Sequence, residues 1–361
     1  MVHRIYNFSP GPAVLPEEVL QEARDNLLSL GGLGIGILEI SHRSREFEAI
    51  LGEATQNLRQ LLGLPAGYQV LFLPGGATLQ FSMVPMNLLP PGRTADYVVT
   101  GEWSKKALAE ARRLGLVHVA ATTEGEMFRR VPRNEELRLS DDPAYVHTTS
   151  NNTIYGTQWH WEPEVGGRLL VCDMSSDFLS RPIEIARYGL IYAGAQKNAG
   201  PAGVTVVILR EELAQPRPDL PVLLSYRTHV EAGSLYNTPP VFAIYVVHLV
   251  LRWLLRQGGL AAMAEHNRKK AALIYEAIDA HPGFYRGHAQ PDSRSLMNIT
   301  FRLPTPELED RFVREARAAG MDGLKGHRSV GGLRASVYNA FPLEGARALA
   351  DFMHEFVRRA G

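Results

Sequence analysis

The sequence predicts an α/β protein: a large domain whose mainly parallel seven-stranded sheet is flanked by helices, followed by a smaller α+β domain. Three observations lead there. Seven short apolar segments alternate with stretches of helical spacing: Val70-Leu73, Tyr97-Thr100, Val117-Ala120, Tyr145-His147, Leu169-Cys172, Leu190-Tyr192 and Val204-Leu209. This is the pattern of strands joined by crossover helices. Pro239-Pro240 introduces a long apolar helix, and Gly258-Gly259 follows as a hinge signal. With 361 residues, 45% hydrophobic and 21% charged, the chain can bury a large core and fill two units. The expected division is 16–258 for the large domain and 259–361 for the small one, with residues 1–15 packing on the latter.

Pro16 before Glu17 and Glu18 marks a helix start, since Pro suits the first helical position and acids suit the positive end of the helix dipole. That helix is expected to run to about Leu28. The glycine-rich stretch Gly31-Gly32-Leu33-Gly34-Ile35-Gly36 follows a helix, whereas a dinucleotide fingerprint follows a strand and opens a helix. A loop is the better reading. Beyond Ser41-His42-Arg43, apolar positions Phe47, Ile50, Leu51, Ala54, Leu58 and Leu61 keep helical spacing. The strand Val70-Leu73 turns through Pro74-Gly75-Gly76 into a helix expected near Leu79. After the seven strands come a helix from Val241 to about Leu255 and helices near Ala261-Ala280, Pro306-Ala319 and Leu343-Arg359. Strand candidates there are Ser295-Phe301 and Leu333-Val337.

Lys+Arg 38 balances Asp+Glu 38, so no global field favours nucleic acid or an anionic membrane. Any anionic ligand must be held locally. One cysteine, Cys172, excludes an internal disulfide framework and a cysteine-based zinc site, and no metal is expected. The beginning Met1-Val2-His3-Arg4-Ile5-Tyr6 lacks an apolar signal core, and no apolar run is long enough to span a bilayer, so the default expectation is a cytoplasmic protein. On that expectation the triplets Asn151-Asn152-Thr153 and Asn298-Ile299-Thr300 are chance glycosylation matches.

Lys197 lies between an apolar strand and a Gly/Pro-rich turn, in Ala193-Gly194-Ala195-Gln196-Lys197-Asn198-Ala199-Gly200. A loop lysine is ordinarily a solvated charge. Small uncharged flanks and tight turns at the glycines allow its amine to be desolvated and its pKa lowered, as nucleophilic attack on an aldehyde requires. Asp173 ends the strand Leu169-Cys172 and reads either as an Asx turn or as a carboxylate facing a cationic ring nitrogen. A lysine and an aspartate at neighbouring strand ends fit pyridoxal phosphate, whose aldehyde takes an amine and whose pyridine nitrogen takes a carboxylate. Backbone N–H groups after Gly75-Gly76, with the Thr78 hydroxyl, form a candidate phosphate cradle. Trp103, after another strand end, could cover a ring or serve in packing. Lys325-Gly326-His327-Arg328-Ser329 with Arg334 reads as an anion site or as a solvated basic loop, and Arg334 sits within an apolar strand. His42-Arg43 is a second cationic pair.

At these residues the chain resembles the phosphoserine aminotransferase family, fold-type-I pyridoxal phosphate enzymes of aminotransferase class V. The resemblance covers nearly the whole chain: Asn7-Phe8-Ser9-Pro10-Gly11-Pro12-Ala13, Ser41-His42-Arg43, Ile191 to Asn198, Tyr236-Asn237-Thr238-Pro239-Pro240, Leu324 to Arg328 and Arg334 to Ala340. It implies amino transfer between glutamate and 3-phosphohydroxypyruvate, giving O-phosphoserine and 2-oxoglutarate in serine biosynthesis. It also implies action on 3-hydroxy-2-oxo-4-phosphooxybutanoate in pyridoxine biosynthesis. By position, the resemblance implies that Lys197 binds the cofactor aldehyde, Asp173 pairs with the ring nitrogen and Trp103 stacks on the ring. Thr153 would approach the phenolic oxygen, and Ala77, Thr78 and Gln196 would hold the phosphate. Asn237 and Thr238 would reach the phosphate of a neighbouring subunit's cofactor, which implies a homodimer. Arg334 would grip the α-carboxylate, and His42, Arg43, His327 and Arg328 would receive the substrate's distal anion. Some family members carry arginine where this chain has Thr78. The rival readings are another class V enzyme, such as an alanine-glyoxylate type aminotransferase, and a noncatalytic anion- or dinucleotide-binding α/β protein.

Overall fold

The computed structural model describes residues 4–360; residues 1–3 and 361, parts of the expected N-terminal strip and small domain, lie outside the described residues. The chain opens with β1 (Tyr6–Asn7), α1 (Glu17–Asp25) and α2 (Arg45–Leu62). Helix α1 stops short of the expected Leu28 because Asn26 ends it. The Asn26 amide donates to the Glu22 carbonyl at 2.8 Å, and its Oδ1 accepts from Gly31 N–H at 2.8 Å, so one side chain closes the helix and starts the glycine loop. Ser44 caps α2 by accepting from Phe47 N–H at 3.3 Å.

The seven expected strands are all present. They are β2 (Tyr68–Leu73), β3 (Thr94–Val99), β4 (Leu116–Thr122) and β5 (Val146–Thr149), then, after a small hairpin β6 (Asn151–Asn152) and β7 (Thr157–Gln158), β8 (Leu170–Asp173), β9 (Tyr188–Gly194) and β10 (Thr205–Arg210). The sheet order is β2-β10-β9-β8-β5-β3-β4. Only β10 runs antiparallel to its neighbours. Between the strands lie α3 (Gly76–Leu88) and α4 (Glu102–Ala111). Successive residues feed opposite cores: Val70 and Phe72 pack with α1 and α2, whereas Leu71 and Leu73 pack with α3 and α4. Both faces are covered except at the edge strand β4, which is partly exposed, and this is why the inner strands read as continuous apolar runs rather than alternating ones.

The short α5 (Tyr226–Glu231) precedes α6 (Val241–Arg256) and α7 (Gly259–Asp279), which meet at 85°. Gly258 and Gly259, at φ of 90° and 76°, make that corner. Among the described residues no single helix is long and apolar enough to cross a membrane. The chain ends with β11 (Arg286–Gly287), β12 (Asn298–Arg302), α8 (Pro306–Ala318), β13 (Met321–Asp322), β14 (Leu333–Ser336) and α9 (Leu343–Ala360). Strands β11, β12 and β14 form a separate antiparallel sheet. A core of Phe8, Ile274, Ile278, Phe301, Phe312, Leu349 and Phe356 lies beneath it. Tyr6 and Asn7 pair in parallel with Met321 and Asp322, which ties the N-terminal strip to this region.

Candidate active site

Parallel strands end at a common edge, and loops leaving that edge converge. Thr149 of β5 is in register with Asp173 of β8, which is in register with Tyr192 of β9. The turns that follow therefore bring Thr153, Asp173 and Lys197 to one cavity of about 270 Å³. Ala77, Thr78, Trp103, Gln196, His327 and Arg334 also line it.

Lys197 is half-buried and donates from Nζ to Thr153 Oγ1 at 2.6 Å, with its amine 5.1 Å from the centre of the Trp103 ring. Burial lowers its pKa from 10.5 to about 8; nearby Asp173 opposes that change and Arg334 adds to it. The turn closes tightly because Gly200 has no side chain: a Cβ there would lie 2.6 Å from Val247 Cγ2 on α6. Asp173 is buried, and burial raises its pKa, opposed first by the Ser175 hydroxyl. The Asx turn weighed from sequence is present, since Ser175 N–H and Oγ both donate to Asp173 Oδ1, at 2.9 and 2.6 Å. Its Oδ2 has no hydrogen-bond partner among the described residues, so the same turn presents a free carboxylate oxygen to the cavity.

Helix α3 begins at Gly76 rather than near Leu79. Gly75 and Gly76, at φ of 92° and 68°, turn the chain directly out of β2, and Ala77 and Thr78 fall in the first helical turn. N–H groups there have no intrahelical acceptor and favour an anion. Arg334 is buried and forms no ion pair among the described residues; Nη1 donates to the Thr153 carbonyl at 3.2 Å and Nε has no partner. Burial lowers its pKa. His327 shares a hydrogen bond with Ser329 Oγ at 2.7 Å, and burial, then Arg334 and Arg328, disfavour its charged form.

Five expected site residues do not line this cavity: His42, Arg43, Asn237, Thr238 and Arg328. Arg43, Thr238 and Arg328 are exposed, and His42 and Asn237 half-buried. Conversely, Ser175, Pro10, Gly11, Phe81 and Ile154 line the site but were not among the expected residues. Ser175 was detectable in sequence, two residues after Asp173 in an Asx-turn pattern. Pro10 and Gly11 are brought in by tertiary contacts: β1 pairs with a strand over 300 residues away, Tyr338 OH donates to the Pro10 carbonyl, and Ala13 N–H donates to the Gln196 carbonyl.

A free carboxylate oxygen, a desolvated lysine, an aromatic plane and a helix N-terminus around one cavity fit pyridoxal phosphate. The class is given by a family model described as aminotransferase class-V, which matches residues 5–349. Phosphoserine aminotransferase from Herpetosiphon aurantiacus is 54% identical over 358 residues, 99% of each chain. The solved structure of phosphoserine aminotransferase from Bacillus circulans subsp. alkalophilus matches with a TM-score of 0.98 at 53% identity, covering 99% of both chains. The pyridoxal phosphate-bound phosphoserine aminotransferase of Trichomonas vaginalis matches at 0.93 with 40% identity, over 97% of this chain and 100% of that one. This chain belongs to the phosphoserine aminotransferase family of the class-V aminotransferases.

Proposed function

We propose that the protein transfers an amino group from glutamate to 3-phosphohydroxypyruvate, forming O-phosphoserine and 2-oxoglutarate for serine biosynthesis, as a cytoplasmic homodimer. The observation that carries this reading is Arg334, a buried guanidinium without a counter-ion among the described residues, sharing a cavity with Lys197. An uncompensated buried charge is costly, and an incoming carboxylate relieves it through a bidentate pair. A second phosphorylated keto acid, 3-hydroxy-2-oxo-4-phosphooxybutanoate, has the same two anionic ends and belongs to the proposal.

The cofactor of this family, pyridoxal phosphate, when bound withdraws electrons from the substrate α-carbon and so weakens its C–H bond. Ala77, Thr78 and Gln196 would hold its phosphate, Trp103 would cover its ring, Thr153 would serve its phenolic oxygen, and the Asp173 carboxylate would keep its ring nitrogen protonated. Lys197 Nζ, with a pKa near 8, can take up the α-proton and return it close by. Arg334 would orient the α-carboxylate and His327 would receive the distal phosphate or carboxylate; Arg328, next to His327 but not lining the cavity, joins His327 in this proposal. His42, Arg43, Asn237 and Thr238, which do not line this chain's cavity, reach it from the neighbouring subunit in this proposal. Residues 16–258 and 259–361, the latter with the N-terminal strip, form the two lobes around it.

The test is to add glutamate, then O-phosphoserine, to purified cofactor-loaded protein and follow the visible spectrum. Both amino acids should convert the cofactor to its amine form, with phosphoserine acting well below the concentration needed for alanine. Equal response to alanine and phosphoserine would overturn the assignment. Borohydride reduction and peptide mapping should locate the pyridoxyl group on Lys197.

A further inference from the structure

Two buried asparagines outside the cavity connect the three segments that carry Asp173, Lys197 and Arg334. Asn198, next to Lys197, donates from Nδ2 to the Phe178 carbonyl at 2.7 Å and accepts at Oδ1 from Asn339 N–H at 2.8 Å. Asn339 donates from Nδ2 to the Leu179 carbonyl at 2.9 Å and accepts from Asn267 Nδ2 at 2.8 Å. Phe178-Leu179 lies in the turn that follows Asp173, and Asn339 follows the strand that carries Arg334. Adjacent carbonyls of one turn are thus each bonded by one asparagine. Between them Leu179 holds a φ of 60°, a left-handed conformation uncommon for a leucine. Such a residue persists where its surroundings over-determine it, and these conformations cluster at functional sites. The other side of the corner is fixed as well. Lys270, fully buried on α7, donates to the Tyr338 carbonyl at 2.5 Å, and Tyr338 OH donates to the carbonyl of Pro10, a cavity residue, at 2.6 Å.

We propose that Asn198 and Asn339 are positioning residues that form one brace, holding the Lys197 turn in fixed relation to Asp173 and Arg334. This rests on the catalytic reading of Lys197 and Arg334 given above. Neither asparagine touches the cavity, so each acts through the backbone it pins. Reacting groups displaced by about 1 Å can cost on the order of 100-fold in rate.

The experiment compares cofactor-loaded Asn198→Ala, Asn339→Ala and the double variant with wild type, with Lys197→Ala and Arg334→Ala alongside. Asn198→Ala should lower kcat by roughly tenfold or more with a smaller change in KM. It should also displace the pH midpoint of the bound cofactor's visible absorbance, a property that loss of stability alone leaves in place. The double variant should lose little more than the worse single one, because either change opens the brace. Additive losses, or wild-type kcat and absorbance midpoint in folded Asn198→Ala, would overturn the proposal. Should Asn198→Ala fail to fold, Asn198→Ser and Asn339→Ala are read by the same criteria. Activity surviving in Lys197→Ala would sink the underlying assignment instead, so the two failures are distinguishable.

Discussion

Replacing Lys197 by methionine should stabilise the cofactor-free protein at neutral pH, and the gain should vanish in alkali. Burial is the main reason the amine titrates near 8 rather than 10.5. A lysine that gives up its proton more readily when folded costs stability wherever both states are protonated, below pH 8. That penalty shrinks between 8 and 10.5 and is absent above, where both states are neutral. The gap corresponds to about 3.4 kcal/mol at 1.36 kcal/mol per pH unit. Two effects reduce it. Methionine loses the bond to Thr153, a net of about 1 kcal/mol, and solvent at the half-buried amine screens part of the penalty. A net gain of about 1–2 kcal/mol for Lys197→Met is therefore expected. Urea midpoints of the two proteins, stripped of cofactor and measured across that pH range, give the comparison. A gain of constant size at every pH would show that desolvation of the ammonium is not its source, and no gain below pH 8 would refute the burial argument outright.

Arg334→Ala should weaken glutamate and the phosphorylated partner alike, on the order of 100-fold in kcat/KM. Arg328→Ala should mainly hurt the phosphorylated one; equal losses for phosphoserine and an unphosphorylated analogue would end that division of labour. Ser175→Ala removes the hydroxyl that holds Asp173 Oδ1 and accepts from Gly194 N–H at 3.1 Å. Cofactor affinity, read by absorbance titration of the stripped protein, should fall roughly 10- to 100-fold. Phe312→Ala empties the centre of an aromatic cluster with Phe301, Phe352 and Phe356 at 6.0, 5.0 and 5.0 Å. It should cost about 3–5 kcal/mol in denaturant unfolding, with little effect on kcat in the protein that remains folded.

Strands buried on both faces are apolar throughout, which made the inner strands legible in the sequence, and the partly exposed edge strand β4 still showed its short run Val117-Ala120. Pro16, Pro240 and Pro306 marked helix starts through local chemistry, whereas the Ser44 cap of α2 went unread. Errors fell where a side chain or a glycine decides an element's end. Asn26 closes α1 early, and the Gly75-Gly76 turn starts α3 early. Two-residue strands such as β1 and β13 carry no pattern of their own and exist only as a pair. In the site, Lys197 and Asp173 announced themselves because strand ends and glycine turns are local features. The clearance at Gly200 against Val247 was not visible.

The sequence by itself determined the α/β class and the seven strands, and it singled out Lys197, Asp173 and Arg334 as candidates, because each follows from burial pattern or residue type within a few positions. Only the tertiary structure decided which cationic groups share a cavity. Arg334 faces Lys197 across a buried space, whereas His42, Arg43 and Arg328 do not line it, and no local rule distinguishes them. It also decided that Asn198 and Asn339 meet. Hydrogen bonds between residues over a hundred positions apart depend on how two sheets dock, and the free energy of that docking is spread over the whole core.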